Sequence, residues 1–179
     1  DRLLPSGRYV SCDYGTQNAT VFLLWNKGTD GVWYCIREYY YSGRTEGKQK
    51  TDSEYADDLE SWLEETKIKG IIVDPSAASF IAELRKRGYK VVKAKNNVED
   101  GIRVVGTKLN QEAIIFADSC VNTIQEFGSY IWDEAAAAHG EDRPVKEHDH
   151  AMDALRYFVY TILNNQIAII QSKRKAGFH

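Results

Sequence analysis

Apolar and polar positions divide the start of the chain into three strand-like segments. Apolar, aromatic and β-branched residues dominate 8–14, 19–28 and 32–43, and polar turns that contain glycine separate these segments. This composition is typical of strands, and connections this short join antiparallel neighbours. The pattern therefore predicts that the fold begins with an antiparallel meander of three strands.

The rest of the chain alternates between helical and strand-like patterns. Short apolar runs predict further strands, at 70–74, 89–94 and 113–118. Helices are predicted over 52–67, 76–88, 96–110, from about 119 up to a short strand, and 147–165. This order predicts an α/β fold of the ribonuclease H-like type, in which a mixed sheet (three antiparallel strands, then parallel strands) is flanked by helices. Actin-like ATPase domains share this order, so the fold alone does not decide the function.

Length and composition fit one soluble globular domain. The 179 residues are 43% apolar and 27% charged, which is ordinary for such a domain. No segment approaches the roughly 18 consecutive apolar residues of a membrane span, so no membrane partner is expected. Residues 1–7, which do not start with methionine, are predicted to be the linker remnant of an excised domain. The domain itself is expected over 8–165, and 166–179 form a basic tail.

Charge is spread unevenly along the chain. The formal net charge is −3, which argues against a protein that clamps nucleic acid through its overall charge. Two basic stretches, 85–95 and 172–179, nevertheless provide local positive surface that can hold phosphates. Each stretch also fits a solvated helix end or a frayed tail, so the sequence leaves both interpretations open.

Two aspartates directly follow strand-like segments. Asp13 ends the first predicted strand, and Asp74 ends the buried run 70–74. If these two strands are neighbours, both carboxylates emerge at one edge of the sheet, which is a usual site position in α/β folds. Adjacent like charges repel unless a cation lies between them, so the pair indicates a metal site. Taken singly, Asp74 also fits a helix cap, and Asp13 also fits an Asx-type turn.

The last predicted helix supplies a third carboxylate. Asp153 lies beside the buried stripe of that helix, three residues after His150 and four after Asp149, so these side chains share a face. A carboxylate near an apolar face is costly without a partner, and a metal held by the first two aspartates would relieve that cost. Asp149 fits best as a charge at the helix start. His150 is either a surface residue or a group that orients the carboxylate or the attacking water.

Two chemistries place a carboxylate where Asp13 lies. Three carboxylates from distant positions suit two-metal phosphodiester hydrolysis, in which one cation activates water and the other stabilises the leaving 3′ oxygen. Oxygen-only ligands favour Mg²⁺ or Mn²⁺, with two ions per site. Alternatively, the run from Asp13 to Thr16 resembles the phosphate loop of actin-like and sugar-kinase ATPases. Their second phosphate loop and their adenosine motif are missing from the sequence.

With these residues in place, the chain resembles the C-terminal nuclease domain of large terminase subunits from tailed double-stranded DNA bacteriophages. The stretches that support the resemblance are YVSCDYGTQNATVFLLW, GIIVDPSAASFIAELRKRG and, most specifically, VKEHDHAMDALRY. The likeness extends over nearly the whole chain and implies an endonuclease that cuts concatemeric viral DNA. The catalytic and metal-binding triad implied by the family motifs is Asp13, Asp74 and Asp153, with His150 as a nearby catalytic histidine.

The resemblance also implies partners and a setting. The substrate is double-stranded DNA in the cytoplasm of the infected bacterial host. The full-length family protein has an N-terminal ATPase motor and works with a small terminase subunit and a portal. This chain lacks the Gly-x-x-x-x-Gly-Lys-Ser/Thr phosphate loop of such a motor. A loop or β-hairpin that gates DNA access is expected around 131–146.

Cleavage is predicted to have little sequence specificity, because the enzyme would be positioned by phosphates rather than by bases. Two other functions remain open for the same fold. A Holliday-junction resolvase or transposase-type nuclease would use the same acids, and a non-catalytic ribonuclease H-like scaffold would typically have lost one of them. The expected phosphate contacts are Lys93, Lys95, Arg103, Lys108, Arg143 and Lys146.

Overall fold

A computed structural model of the protein describes residues 2–15, 18–129 and 149–164. The strands in these ranges are β1 (Leu3–Asp13), β2 (Ala19–Gly28), β3 (Trp33–Ser42), β4 (Ile71–Val73), β5 (Val91–Lys93) and β6 (Ile114–Phe116). They form one sheet with the order β5-β4-β1-β2-β3-β6. β1 to β3 are antiparallel, whereas β4, β5 and β6 each run parallel to their neighbours. The predicted mixed sheet is therefore confirmed.

Helices cover both faces of this sheet. Within the described ranges they are α1 (Gly43–Glu46), α2 (Asp52–Leu63), α3 (Ala78–Lys86), α4 (Val98–Asn110), α5 (Val121–Ser129) and α6 (His150–Phe158), which continues into a π-helical turn (Val159–Leu163). α2 and α3 pack on one face around Phe22 and Phe80. α4, α5 and α6 lie on the other face, around Trp25 and Phe158. None of these helices combines the length and the apolar character that crossing a membrane requires.

The first strand starts earlier than the apolar pattern predicts. β1 begins at Leu3, inside the segment 1–7 that was expected to be a linker, and Leu3 pairs with Gly28 across an irregularity in the register. The side chain of Asn26 donates to the carbonyl of Leu4 at 3.0 Å and holds this extension against β2. Residues 3–7 therefore belong to the sheet, because backbone pairing continues where the apolar alternation stops.

The second helix differs from its prediction at both ends. Its N-cap is Thr51 rather than Asp52 or Ser53, because Thr51 and Glu54 form a reciprocal capping box. The helix ends at Leu63 instead of residue 67, since Glu64 adopts a positive φ of 54° that interrupts the helical backbone.

Candidate active site

Neighbouring parallel strands bring the first two predicted aspartates to the same edge of the sheet. β1 and β4 are parallel, with Cys12 opposite Val73. Asp13 and Asp74 are the next residues of these two strands, so both leave the sheet at its carboxyl edge. Cys12 and Val73 are fully buried, which fixes the register that sets the two aspartates beside each other. The condition that the sequence left open, that these strands are neighbours, is met.

Asp13 is buried and bound to His150. The Nδ1 atom of His150 lies 2.9 Å from Oδ2 of Asp13. Burial raises the pKa of Asp13 to about 6, although the hydrogen bond from His150 lowers it, and the charge of Asp153 raises it further. The bond to Asp13 in turn raises the pKa of His150, against the effect of burial. His150 therefore orients Asp13, which is one of the two roles that the sequence left open for it.

Asp74 lies in the turn after β4 and is held by neutral donors. Its Oδ1 accepts from the backbone N–H of Ser76 at 2.8 Å, and its Oδ2 accepts from the side-chain amide of Asn96 at 3.1 Å. Burial pushes the pKa of Asp74 upward, but hydrogen bonds from Ser76, Asn96 and Tyr157 outweigh it and lower the pKa. Asp74 therefore stays ionised at neutral pH.

Asp153 lies on the first turns of α6 and is paired with Arg156. The Nη2 atom of Arg156 donates to Oδ1 of Asp153 at 2.7 Å. Arg156 is only 4% exposed, and its Nη1 donates to the carbonyls of Asn96 at 2.9 Å and Asn97 at 3.4 Å. Because Asn96 also binds Asp74, a continuous set of hydrogen bonds joins Asp153 to Asp74.

Tyr157 lies close to all three aspartates. Burial raises the pKa of its hydroxyl first, and the negative charges of Asp153, Asp13 and Asp74 raise it further. Since each carboxylate acts on the same hydroxyl, the three acids from β1, β4 and α6 surround one region at the carboxyl edge of the sheet.

The donor chemistry of this region fits a hard divalent cation, but the side chains are turned to protein partners. In the part of the chain that the structure describes, no group of three or more His, Cys, Asp or Glu side chains is arranged to hold a metal ion. Asp13 binds His150, and Asp153 binds Arg156. The three carboxylates are oxygen ligands of the kind that Mg²⁺ and Mn²⁺ prefer. An ion shared among them requires these side chains to leave their present partners.

The predicted phosphate contacts are scattered over the molecule. Lys93 ends β5 opposite Val73 and is exposed at the carboxylate edge, as is Lys95. Arg103 is exposed on α4. Lys108 lies beside the start of β6, since its carbonyl accepts from Ala113, and therefore at the opposite edge of the sheet. Arg143, Lys146 and the expected loop over 131–146 fall outside the described residues.

Three residues of this region were missed by sequence reasoning. Arg156 follows Asp153 by three positions, so helical spacing could have identified it, and Tyr157 is its neighbour in the same motif. Asn96 lies in a polar stretch between β5 and α4 with no local signal, because its contact with Asp74 arises only when β4 and β5 pair.

The fold and the acidic edge define a ribonuclease H-like α/β domain, and known proteins agree with this class. The large terminase of a thermophilic bacteriophage, solved as the full-length protein, is 58% identical, with a TM-score of 0.86 over 88% of this chain and 40% of that chain. The terminase large subunit of Escherichia phage T5 is 27% identical over 157 residues, which are 86% of this chain and 34% of that protein. The nuclease domain of the bacteriophage SPP1 large terminase, solved with bound Mn, is 22% identical, with a TM-score of 0.59 over 85% of this chain and 84% of that domain.

These comparisons confirm the predicted resemblance to the nuclease domain of phage large terminase subunits. No protein-family model matches the chain. The chain spans about a third of the length of the phage T5 relative (34%) and 40% of that of the thermophilic phage protein.

Proposed function

We propose that this chain is a metal-dependent endonuclease that cuts concatemeric double-stranded viral DNA during genome packaging. The observation that supports it most is that β1, β4 and α6 bring Asp13, Asp74 and Asp153 to one edge of the sheet. The likeness to the large terminase of the thermophilic phage supports the packaging role. The Mn bound to the SPP1 domain supports the use of a divalent ion.

In this proposal Asp13, Asp74 and Asp153 hold two Mg²⁺ or Mn²⁺ ions. Such ions, when bound, activate the attacking water and stabilise the leaving 3′ oxygen of the phosphodiester. His150 keeps the buried Asp13 carboxylate in a fixed orientation through its Nδ1 atom. Arg156 aligns Asp153 and neutralises its charge while no ion is bound.

Lys93 and Lys95 are the candidates for contacts with the DNA backbone next to the scissile phosphate. Both are exposed on the strand beside Asp74. Contacts to phosphates position a duplex without reading its sequence, so we propose cleavage with little sequence specificity. The proposed setting is the cytoplasm of the infected host. The proposed partners are an N-terminal ATPase motor in the full-length protein, a small terminase subunit and a portal.

A plasmid-nicking assay in Mn²⁺ tests this proposal. The wild-type chain should nick supercoiled plasmid, and Asp74→Ala should abolish nicking. Asp118→Ala is the matched control, because Asp118 is also an exposed aspartate just after a parallel strand, β6, on the far side of the sheet. A wild-type chain that cuts nothing would favour the scaffold alternative. Preference for a four-way junction over linear duplex would favour a resolvase.

A further inference from the structure

The carboxylate of Glu126 lies at the start of the helix that carries His150 and Asp153. Glu126 belongs to α5 and is only 5% exposed. Its Oε2 atom accepts from the backbone N–H groups of Ala151 at 2.8 Å and Met152 at 3.1 Å. The first N–H groups of a helix have no partner within the helix, and a negative charge at this end is favourable for the helix dipole. Glu126 therefore caps α6 from another element.

This external cap takes the place of a local one. Asp149 occupies the N-cap position of α6, but its side chain makes no capping hydrogen bond. The position of the first turn of α6 therefore depends on where α5 places Glu126.

Strand β3 fixes Glu126 in two ways. The hydroxyl of Tyr40 donates to Oε1 of Glu126 at 3.0 Å. The carboxylate of Glu38 anchors the start of α5, since it accepts from the backbone N–H groups of Asn122 at 2.7 Å and Thr123 at 2.9 Å. The buried sheet thus holds α5, and α5 holds the start of α6.

We propose that Glu126 is a positioning residue for the candidate active site, which sets His150 and Asp153 in place against Asp13 by capping α6. The inference rests on the proposed function. His150 immediately precedes one of the two capped amides and Asp153 immediately follows the other. A shift of this turn therefore acts directly on the 2.9 Å contact between His150 and Asp13.

Three variants separate positioning from stability. Glu126→Ala removes the cap, whereas Glu126→Gln keeps an acceptor oxygen for the two amides. Thr51→Ala is the control, because it removes the cap of α2 on the opposite face of the sheet. We expect Glu126→Ala to weaken Mn²⁺ binding, measured by calorimetry, and to lower the turnover of plasmid nicking by about 10- to 100-fold. The KM for DNA should be unchanged, Glu126→Gln should recover most of the loss, and Thr51→Ala should behave as wild type.

Two readouts do not depend on nuclease activity. In Glu126→Ala the amides of Ala151 and Met152 should exchange faster with solvent, and the ring nitrogen resonances of His150 should shift. If the wild type neither binds Mn²⁺ nor cuts DNA, the proposed function fails, and these two readouts still decide whether Glu126 positions the turn. If Glu126→Ala does not fold, Tyr40→Phe should show a smaller change in the same direction. Wild-type Mn²⁺ affinity, turnover and His150 resonances in a folded Glu126→Ala would overturn the inference.

Discussion

Asp13 and Asp74 lie beside each other but differ in what ionisation costs them. Burial raises the pKa of Asp13 to about 6, whereas the hydrogen bonds to Asp74 overcome its burial and lower its pKa. At neutral pH both are ionised, and the charge on Asp13 is the one that opposes folding. A cation near Asp13 offsets that cost, so this residue should report most directly on metal binding.

We expect the metal-free protein to lose stability as the pH rises from about 5.5 to about 8. The raised pKa of Asp13 means that the folded state binds more protons than the unfolded state up to about pH 6. The raised pKa of His150 extends this difference above its ordinary value of 6.5. Both groups therefore favour the folded state at the lower pH. The Tm measured in a chelator at the two pH values checks this expectation.

The variant Asp13→Asn should lose most of this pH dependence, because asparagine does not ionise and leaves His150 without a charged partner. Glu54→Gln is the control. The pKa of Glu54 is lowered to about 2, chiefly by its hydrogen bond from Lys48, so its titration lies below the measured window. A wild-type Tm that rises over this interval would contradict the account, as would an equal fall in Asp13→Asn.

At the scale of elements, a glycine lets α4 lie against α6. A Cβ atom at Gly101 would come within 2.6 Å of Cγ and 2.7 Å of Cδ of Arg156. Gly106 is on the same helix and has nothing within 4 Å of such an atom. Gly101 therefore allows the close approach through which Arg156 reaches both Asp153 and the carbonyl of Asn96.

Alanine at these two positions should have opposite effects on the free energy of unfolding. Gly106→Ala should stabilise the protein by about 0.5–1 kcal/mol, since alanine is the better helix former. Gly101→Ala should destabilise it by about 1–3 kcal/mol, because the new methyl group overpacks against Arg156. Denaturant unfolding measures both values. Equal stabilisation by the two substitutions would show that α4 and α6 are not in tight contact at Gly101.

The end of the last helix shows where a sequence pattern stops being informative. The apolar spacing of Leu155, Phe158, Val159 and Ile162 predicts one continuous helix over 147–165. The structure instead has α6 followed by a π-helical turn, in which the N–H of Asn164 bonds to the carbonyl of Val159. The hydroxyl of Thr161 in this turn accepts from the N–H of Lys95 at 2.9 Å. Periodicity cannot reveal this change of register, because it depends on a contact with a distant strand.

At the scale of the whole molecule, the order of elements could be predicted from the sequence, whereas the neighbours of the edge strands could not. Alternation and helical spacing are local properties, so they identified the meander and the later β and α segments. The pairing of β6 with β3 is set by packing of the complete sheet. The same division holds at the site, where Asp13 and Asp74 stand at strand ends. Glu126 has no such local signal, because its partners are far away in the chain.

The charge distribution predicts how duplex DNA should bind. The double substitution of Lys93 and Lys95 by alanine should reduce the slope of log affinity against log salt by about 1 per lost phosphate contact, hence by about 2. Binding measured without divalent ions avoids cleavage. The control is the double alanine variant of Lys69 and Lys90, which removes the same charge from the residues before β4 and β5, at the opposite edge of the sheet. Equal changes in both variants would mean that DNA does not bind at the carboxylate edge.

The central claim is that three aspartates distant in sequence share divalent cations at the carboxyl edge of the sheet. A crystal of the protein soaked in Mn²⁺ tests it most directly, because anomalous scattering locates the ions. The account predicts anomalous peaks bound by Asp13, Asp74 and Asp153, with the Arg156–Asp153 contact opened. It is contradicted if saturating Mn²⁺ leaves no peak among these carboxylates and both the His150–Asp13 and the Arg156–Asp153 contacts persist.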